Sequence, residues 1–317
     1  MNRFHLSKEL FSEGTVAKQN CTFSSDEEGL VVLGTNHKSF AIWQQLMKLY
    51  SHFTYPIIKA GYTNDLSELQ SLFNQDACSL ILSADTYSAD QLDNDAPLSV
   101  ISNWIDTSLI KDKDLDALSL IGIQKHLCQE SVFHQCMDSM FNLLRLSDLY
   151  RDINLCEVVL RESEHVVFDL AVIRKSDFTI EQKNASICGI TLDQACQLMK
   201  FIGSIQTLKT IEITSIDYSH SEDHSYYELI SILIWYFMEG TNFKSQDSSI
   251  SHKKQYIVYP EGIELPLYFY NESMTDKWWV NTTDDMEQLV ACSPNDFNDV
   301  KKGILSERMI KIVDMLS

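Results

Sequence analysis

Short runs of apolar, often β-branched residues recur along the chain, and stretches with helical spacing separate them. The clearest run covers residues 166–173 and is interrupted by a single carboxylate, Asp169. A run that is apolar at both alternating positions predicts a strand buried on both faces, as at the centre of a parallel sheet. By the same criterion we predict strands at residues 30–33, 55–60, 78–83, 118–123 and 208–216.

Helical spacing between these runs predicts the helices that cover the sheet. The longest occupies residues 226–239 and stops at Gly240, and another begins at a cap on Thr191 or Asp193 and stops at Gly203. Strands that alternate with helices predict a mainly parallel sheet in a single α/β domain, covered on both faces. Further helices are predicted at residues 40–50, 66–73, 96–110, 131–149, 153–162 and 295–316.

The two ends of the chain differ from this alternating pattern. Residues 1–29 are polar and irregular. Residues 253–317 form a C-terminal elaboration of the domain, and their alternating runs at 254–259 and 265–270 predict an antiparallel pair. Trp278 and Trp279 follow, and adjacent tryptophans either pack against the domain or a subunit neighbour or form an exposed aromatic patch.

Composition narrows the choice of partners and compartment. The formal net charge of −20 excludes nucleic acid and anionic membranes, because both bind basic surfaces. Neither a basic-then-apolar leader nor an apolar run of about 18 residues is present, so we predict no signal peptide and no membrane span. The eight cysteines include no Cys-x-x-Cys pair, which favours buried thiols in a reducing cytoplasm over a disulfide or zinc framework. We therefore expect a cytoplasmic protein.

Several common catalytic motifs are absent. Gly29 and Gly34 do not form a dinucleotide-binding fingerprint, no Gly-Lys-Ser/Thr follows a strand, and no serine lies in a nucleophile elbow. Ligands of parallel sheets bind at the carboxyl ends of the strands, so the polar residues that follow strands are the candidates for function.

Two residues are candidates for a metal site. His37 follows the first strand, where a histidine either hydrogen-bonds a helix start or binds a ligand. Asp169 lies in a buried strand, where a carboxylate needs hydrogen-bond donors or a metal. A competing candidate is the pair His220 and His224, which would bind zinc from one face of a helix. The polar residues around that pair also fit a solvated loop with acids that cap the next helix.

Three motifs resemble those of the ureohydrolases, the family of arginase, agmatinase and formimidoylglutamase. In that family Gly-Gly-Asp-His-Ser follows an early strand, Asp-Ala-His-x-Asp follows the next one, and Ser-x-Asp-x-Asp lies on a late strand. Together these motifs bind two manganese ions. Residues 34–39 (Gly-Thr-Asn-His-Lys-Ser) are similar to the first motif, 59–63 (Lys-Ala-Gly-Tyr-Thr) to the second and 167–171 (Val-Phe-Asp-Leu-Ala) to the third.

The likeness is closest to a bacterial formimidoylglutamase-like branch. It extends over roughly residues 30–300 and includes residues 173–177 (Ile-Arg-Lys-Ser-Asp) and 276–279 (Asp-Lys-Trp-Trp). Other segments that carry it are residues 193–197, 234–240 and 289–293. The resemblance implies a three-layer α/β/α arginase-type fold with a mostly parallel sheet of about eight strands.

The resemblance also implies a metal site that has lost most of its ligands. Only His37 and Asp169 keep a metal-binding residue type. The family glutamate that recognises substrate follows a late strand, where this chain has Ser215 or Asp217. The replaced metal-ligand or neighbouring positions are Asn36, Lys59, Gly61, Thr63 and Ala171.

We therefore predict a ureohydrolase-family protein whose binuclear manganese site is largely lost and whose catalysis is impaired or altered. Its cofactor would be none or a single weakly bound divalent metal, and Lys59 would pair with Asp169 in place of the metal. Its partner would be a small-molecule ligand or further copies in a homo-oligomer. The alternative is an active metal-dependent hydrolase of a linear amidine C–N bond, such as that of formimidoylglutamate. A purely structural role in an oligomer is a third reading.

Overall fold

The computed structural model describes residues 30–46, 48–49, 57–62, 78–85, 92, 95–112, 114–139, 142–178, 180, 182, 184–220, 224–244, 253–260, 265–273, 276–284 and 289–316. For residues 57–62, 112 and 220 the description covers the backbone alone. The predictions for residues 1–29 and 66–73 lie outside the described residues.

The main sheet consists of eight parallel strands, which confirms the predicted fold class. They are β1 (Leu30–Gly34), β2 (Ile57–Tyr62), β3 (Cys78–Leu82), β4 (Leu98–Ile101), β5 (Leu118–Ile123), β6 (Leu143–Arg145), β7 (His165–Asp169) and β8 (Thr210–Thr214). Their spatial order is β2-β1-β3-β8-β7-β4-β5-β6. Each neighbouring pair runs parallel, so all the carboxyl ends lie along one edge of the sheet.

Helices cover both faces of this sheet. Alternate residues of β7 enter different cores, because successive side chains of a strand point to opposite faces. Val166 and Phe168 join the larger core, whereas Val167 joins the smaller one. The helices are α1 (Ser39–Leu46), α2 (Thr107–Asp112), α3 (Glu130–Ser139), α4 (Leu146–Arg151), α5 (Leu155–Leu160), α6 (Leu192–Gly203), α7 (His224–Thr241), α8 (Pro294–Lys301) and α9 (Glu307–Leu316). None of these described helices is long and apolar enough to cross a membrane.

Helices α6 and α7 pack closely against each other on the larger core. A Cβ atom added to Gly203 would lie 2.0 Å from the carbonyl oxygen of Phe237, and one added to Gly240 would lie 2.2 Å from that of Lys200. Glycine is needed here for close helix approach, since Gly240 lies within α7 rather than beyond its end. The predicted cap is confirmed at Thr191, whose hydroxyl accepts the Gln194 N–H at 3.1 Å.

The C-terminal region carries its own sheet and core. Strands β9 (Lys253–Val258), β10 (Leu267–Glu272), β11 (Lys277–Asn281) and β12 (Val290–Cys292) form an antiparallel sheet in the order β12-β11-β10-β9. Trp278 packs between Phe297 and Tyr256, with ring centroids 4.7 and 5.4 Å away. Trp279 receives the guanidinium of Arg161 over its ring at 4.9 Å. Both tryptophans therefore pack against the rest of the chain.

Four helix predictions were wrong in extent or type. The helix predicted at 96–110 is instead strand β4 followed by α2. The prediction failed because the apolar spacing of Leu98, Ile101 and Ile105 fits a helix as well as a buried strand. Residues 131–149 contain the three-residue strand β6 between α3 and α4. Residues 295–316 divide into α8 and α9 at Gly303, whose φ is 79°. Helix α1 ends at Leu46.

Cysteine chemistry agrees with the thiol prediction for the described residues. None of the seven described cysteines forms a disulfide, and five of them are buried. Burial raises the pKa of the Cys136 thiol to about 11, so that thiol stays protonated and unreactive at neutral pH.

Candidate functional site

The order of the strands decides which strand ends can form a site. Strands β8 and β4 flank β7, whereas β1 and β2 lie three and four strands away from it. At about 4.8 Å for each step, these separations are about 14 and 19 Å. The structure therefore does not bring the exposed His37, after β1, next to Asp169. Our expectation that the ends of β1, β2 and β7 converge on one cleft was wrong.

The same order excludes an ion pair between Lys59 and Asp169. Lys59 lies on β2, at a register position opposite Val31 of β1. A lysine carries only a four-carbon stem, which cannot cross the width of three intervening strands. The partners of Asp169 must come from β8, β4 or the turn after β7.

Asp169 is satisfied by donors of the protein itself. It is the last residue of β7 and is 8% exposed. Its Oδ2 accepts the hydroxyl of Ser102 at 2.9 Å, and its Oδ1 accepts the N–H of Ala171 at 2.9 Å. The second bond opens a 3-10 turn over Leu170–Val172. Each carboxylate oxygen thus has a hydrogen bond, as a buried carboxylate requires.

The residues after β4 stand where a second metal-binding motif would have to stand. Ser102, Trp104 and Asp106 follow β4 at alternate positions, with the spacing of Asp-x-His-x-Asp, and Ser102 reaches Asp169. Ser102 and Trp104 supply no metal ligand, and the one carboxylate of the three, Asp106, lies just before α2. Ser102 donates to the carboxylate of Asp169, Trp104 has no ligating atom, and Asp106 accepts the N–H of Ser108 at 2.9 Å at the start of α2.

Sequence reasoning missed this segment because it assigned residues 96–110 to a helix. The available signal was the short run Leu98-Ser-Val-Ile101 directly after Pro97, since proline begins strands more readily than it enters helix interiors. Residues 59–62 of the matched motif lie instead on β2, at the far edge of the sheet, and residue 63 lies outside the described residues.

Buried side-chain amides fasten a covering segment over the strand ends. We name residues 184–190 the cover segment. Asn103 donates to the carbonyl oxygens of Ala171 and Asn184, both at 2.9 Å, and Gln124 donates to that of Cys188 at 2.9 Å. Asn103 and Gln124 are 1% and 4% exposed. These neutral donors join the ends of β4 and β5 to the cover segment without any charge.

The cover segment also lies directly on the backbone that follows β7. Arg174 N–H donates to the carbonyl of Ile190 at 3.0 Å, and Ile190 N–H donates to that of Val172 at 3.0 Å. A Cβ atom on Gly189 would lie 2.5 Å from the Val172 oxygen, so only glycine permits this approach. The cover segment is therefore held against residues 172–174 by both hydrogen bonds and close packing.

Strand β8 ends in a strained turn, which is also held by a side-chain amide. Ser215 has a φ of 62°, an unusual value for a residue with a side chain. Its carbonyl accepts the amide of Gln182 at 2.5 Å, and the hydroxyl of Tyr226 donates to the other end of that amide at 3.1 Å. Burial raises the pKa of the Tyr226 hydroxyl, which keeps the proton needed for this bond at neutral pH.

The carboxylate that β8 contributes is Glu212. It is fully buried, and its Oε1 accepts the hydroxyl of Ser83 at 3.0 Å. The positions expected for a substrate-recognising glutamate have other roles. Ser215 takes the strained turn, and Asp217 accepts the N–H of Ser219 at 2.8 Å. Sequence reasoning missed Glu212 because it lies inside the strand rather than after it.

The competing histidine pair does not share a helix. His220 ends a 3-10 turn, and His224 begins α7 beyond residues that are not described. The His224 Nδ1 lies 3.5 Å from the amide nitrogen of Gln45. Within the described part of the chain, no group of three or more histidine, cysteine or acidic residues could hold a metal ion.

Asp177, in the segment that carries the family likeness after β7, has a structural role. Its Oδ1 accepts Nε of Arg174 at 2.5 Å, and its Oδ2 accepts the N–H of Leu192, the first residue of α6, at 2.9 Å. Burial alone would raise the pKa of Asp177, but the hydrogen bonds from Arg174, Leu192 and Ser176 outweigh it and lower the pKa. The carboxylate thus ties the turn after β7 to the start of α6.

We predict that Asp177→Asn makes the free energy of unfolding depend less on pH in the acid range. A carboxylate with a lowered folded-state pKa contributes stability above its unfolded pKa, and this is lost as pH falls through the folded value. The variant should lose about 1 kcal/mol at pH 7, typical of a lost helix-start acceptor, and less below pH 3. Urea unfolding between pH 2.5 and 7 measures this. Asp314→Asn, at an exposed position of α9, is the control, and an equal loss at every pH would contradict the prediction.

The residues at this edge do not fit a binuclear manganese centre. Such a centre needs several carboxylates and imidazoles, with positions left open to the metal. Here the neighbours of Asp169 on β4 and after β7 are Ser102 and Ala171, and neutral amides span the space between strand ends.

Solved structures of arginase/ureohydrolase proteins have the same fold as this chain. Neither a protein-family model nor a curated protein matches the sequence. An oxidized formiminoglutamase from Trypanosoma cruzi, solved with Mn²⁺, is 11% identical with a TM-score of 0.59, covering 70% of this chain and 96% of its own.

Two further structures have the same likeness. The agmatine ureohydrolase of Thermoplasma volcanium is 12% identical with a TM-score of 0.56, covering 77% of this chain and 100% of its own. The formimidoylglutamase of Bacillus subtilis is 13% identical with a TM-score of 0.58, covering 69% of this chain and 89% of its own. At such identities the likeness concerns the fold.

Proposed function

We propose that this chain is a ureohydrolase-type protein whose binuclear manganese site is largely lost and whose catalysis is impaired or altered. The observation that carries this is the identity of the residues that contact Asp169, since Ser102 and the Ala171 N–H reach its oxygens and neither supplies a second carboxylate or an imidazole. Each oxygen keeps a second lone pair, so a metal at Asp169 would depend on further ligands from the neighbouring residues. The surrounding residues offer few such ligands, because a serine, a tryptophan and an alanine stand at the neighbouring positions.

Charge supports the same conclusion. Two divalent cations that share a hydroxide carry a charge of about +3, which the protein must offset to hold them and to lower the pKa of the water. Asp169 supplies one negative charge, and the nearest neighbours that cross to the cover segment, Asn103 and Gln124, are neutral. A single metal at this edge would be weakly bound.

The second candidate is an active hydrolase of a linear amidine such as formimidoylglutamate. The observation that favours it is Glu212, a buried carboxylate on β8, the strand next to β7. Such an enzyme would need a rearranged set of ligands, and the cover segment would have to move for substrate to enter.

An activity measurement separates the two candidates. We expect no hydrolysis of arginine, agmatine or formimidoylglutamate above background when the protein is incubated with manganese. Turnover in the usual enzyme range of about 1–1000 per second on any of them would contradict the proposal.

A second test restores metal-ligand residue types beside Asp169 and asks whether this edge of the sheet then binds manganese. We predict that the triple variant Ser102→Asp, Trp104→His and Ala171→Asp binds Mn²⁺ at least about tenfold more tightly than the natural sequence, measured by calorimetry, because it adds two carboxylates and an imidazole beside Asp169. The matched neutral variant Ser102→Asn, Trp104→Gln and Ala171→Asn should show no gain. Equal affinity in all three proteins would show that this edge is not the metal position.

A further inference from the structure

We draw no further inference here: the strongest candidate, the outer edge of strand β9 in the C-terminal sheet, has no neighbouring strand among the described residues and exposes Ile257 and Tyr259, but nothing in the structure shows what covers it.

Discussion

Asp169→Ala is expected to lower the free energy of unfolding by about 2–4 kcal/mol, whereas Asp169→Asn should cost less than about 1 kcal/mol. Alanine leaves the Ala171 N–H and the Ser102 hydroxyl buried without their acceptor, and each unsatisfied group costs about 1–3 kcal/mol. Asparagine keeps an oxygen for the N–H, and its amide can donate to Ser102 after the hydroxyl rotates.

Urea unfolding of both variants and the natural protein, with chelator and again with Mn²⁺, measures this difference. If Asp169 bound a metal, Mn²⁺ would stabilise the natural protein but not Asp169→Asn, because asparagine binds metal far less well than aspartate. Stabilisation of the natural protein alone by Mn²⁺, with Asn as damaging as Ala, would contradict our account of Asp169.

Asn103→Asp should destabilise the protein by about 3–5 kcal/mol and release the cover segment. The change keeps the shape of the side chain but removes both N–H donors. It also directs a buried negative charge at the carbonyl oxygens of Ala171 and Asn184. An uncompensated buried charge is among the most costly single changes in a protein.

Hydrogen exchange followed by mass spectrometry measures the release of the cover segment, and urea unfolding measures the loss in the free energy of unfolding. Amides of the cover segment should exchange faster in Asn103→Asp, while those of α6 and α7 should stay protected. Asn295→Asp makes the same chemical change at an exposed position of α8 and should have almost no effect. Uniform loss of protection in all segments would mean that Asn103 supports the whole fold rather than the cover segment.

The central strands could be predicted from the sequence because they are buried on both faces and therefore read as continuous apolar runs. Strand β7 was found in this way, and its lone carboxylate identified Asp169. Strand β4 was missed, since its apolar positions continue into α2 with helical spacing. A four-residue strand carries too little pattern to override that spacing.

The partners of Asp169 could not be predicted, because they depend on strand order. Ser102 lies 67 residues away along the chain, and only the placement of β4 beside β7 joins the two side chains. The local sequence match assigned the first two motifs to residues beside β1 and β2, because these strands are also short apolar runs. Strand order is set by the packing of the whole sheet, and a local motif carries no information about it.

The cover segment was equally hidden from sequence analysis. Its bonds run from side-chain amides to backbone carbonyls, and a carbonyl accepts without regard to residue type. Gly189 is the one position where composition gives a signal, because a side chain there would strike the Val172 backbone.

The metal content of the protein tests the central claim most directly. The natural protein should be loaded with excess manganese, desalted and measured for bound metal per chain. We expect a ratio far below one, since the residues that contact Asp169, Ser102 and Ala171, supply neither a second carboxylate nor an imidazole. A ratio of two tightly held ions per chain would contradict the account.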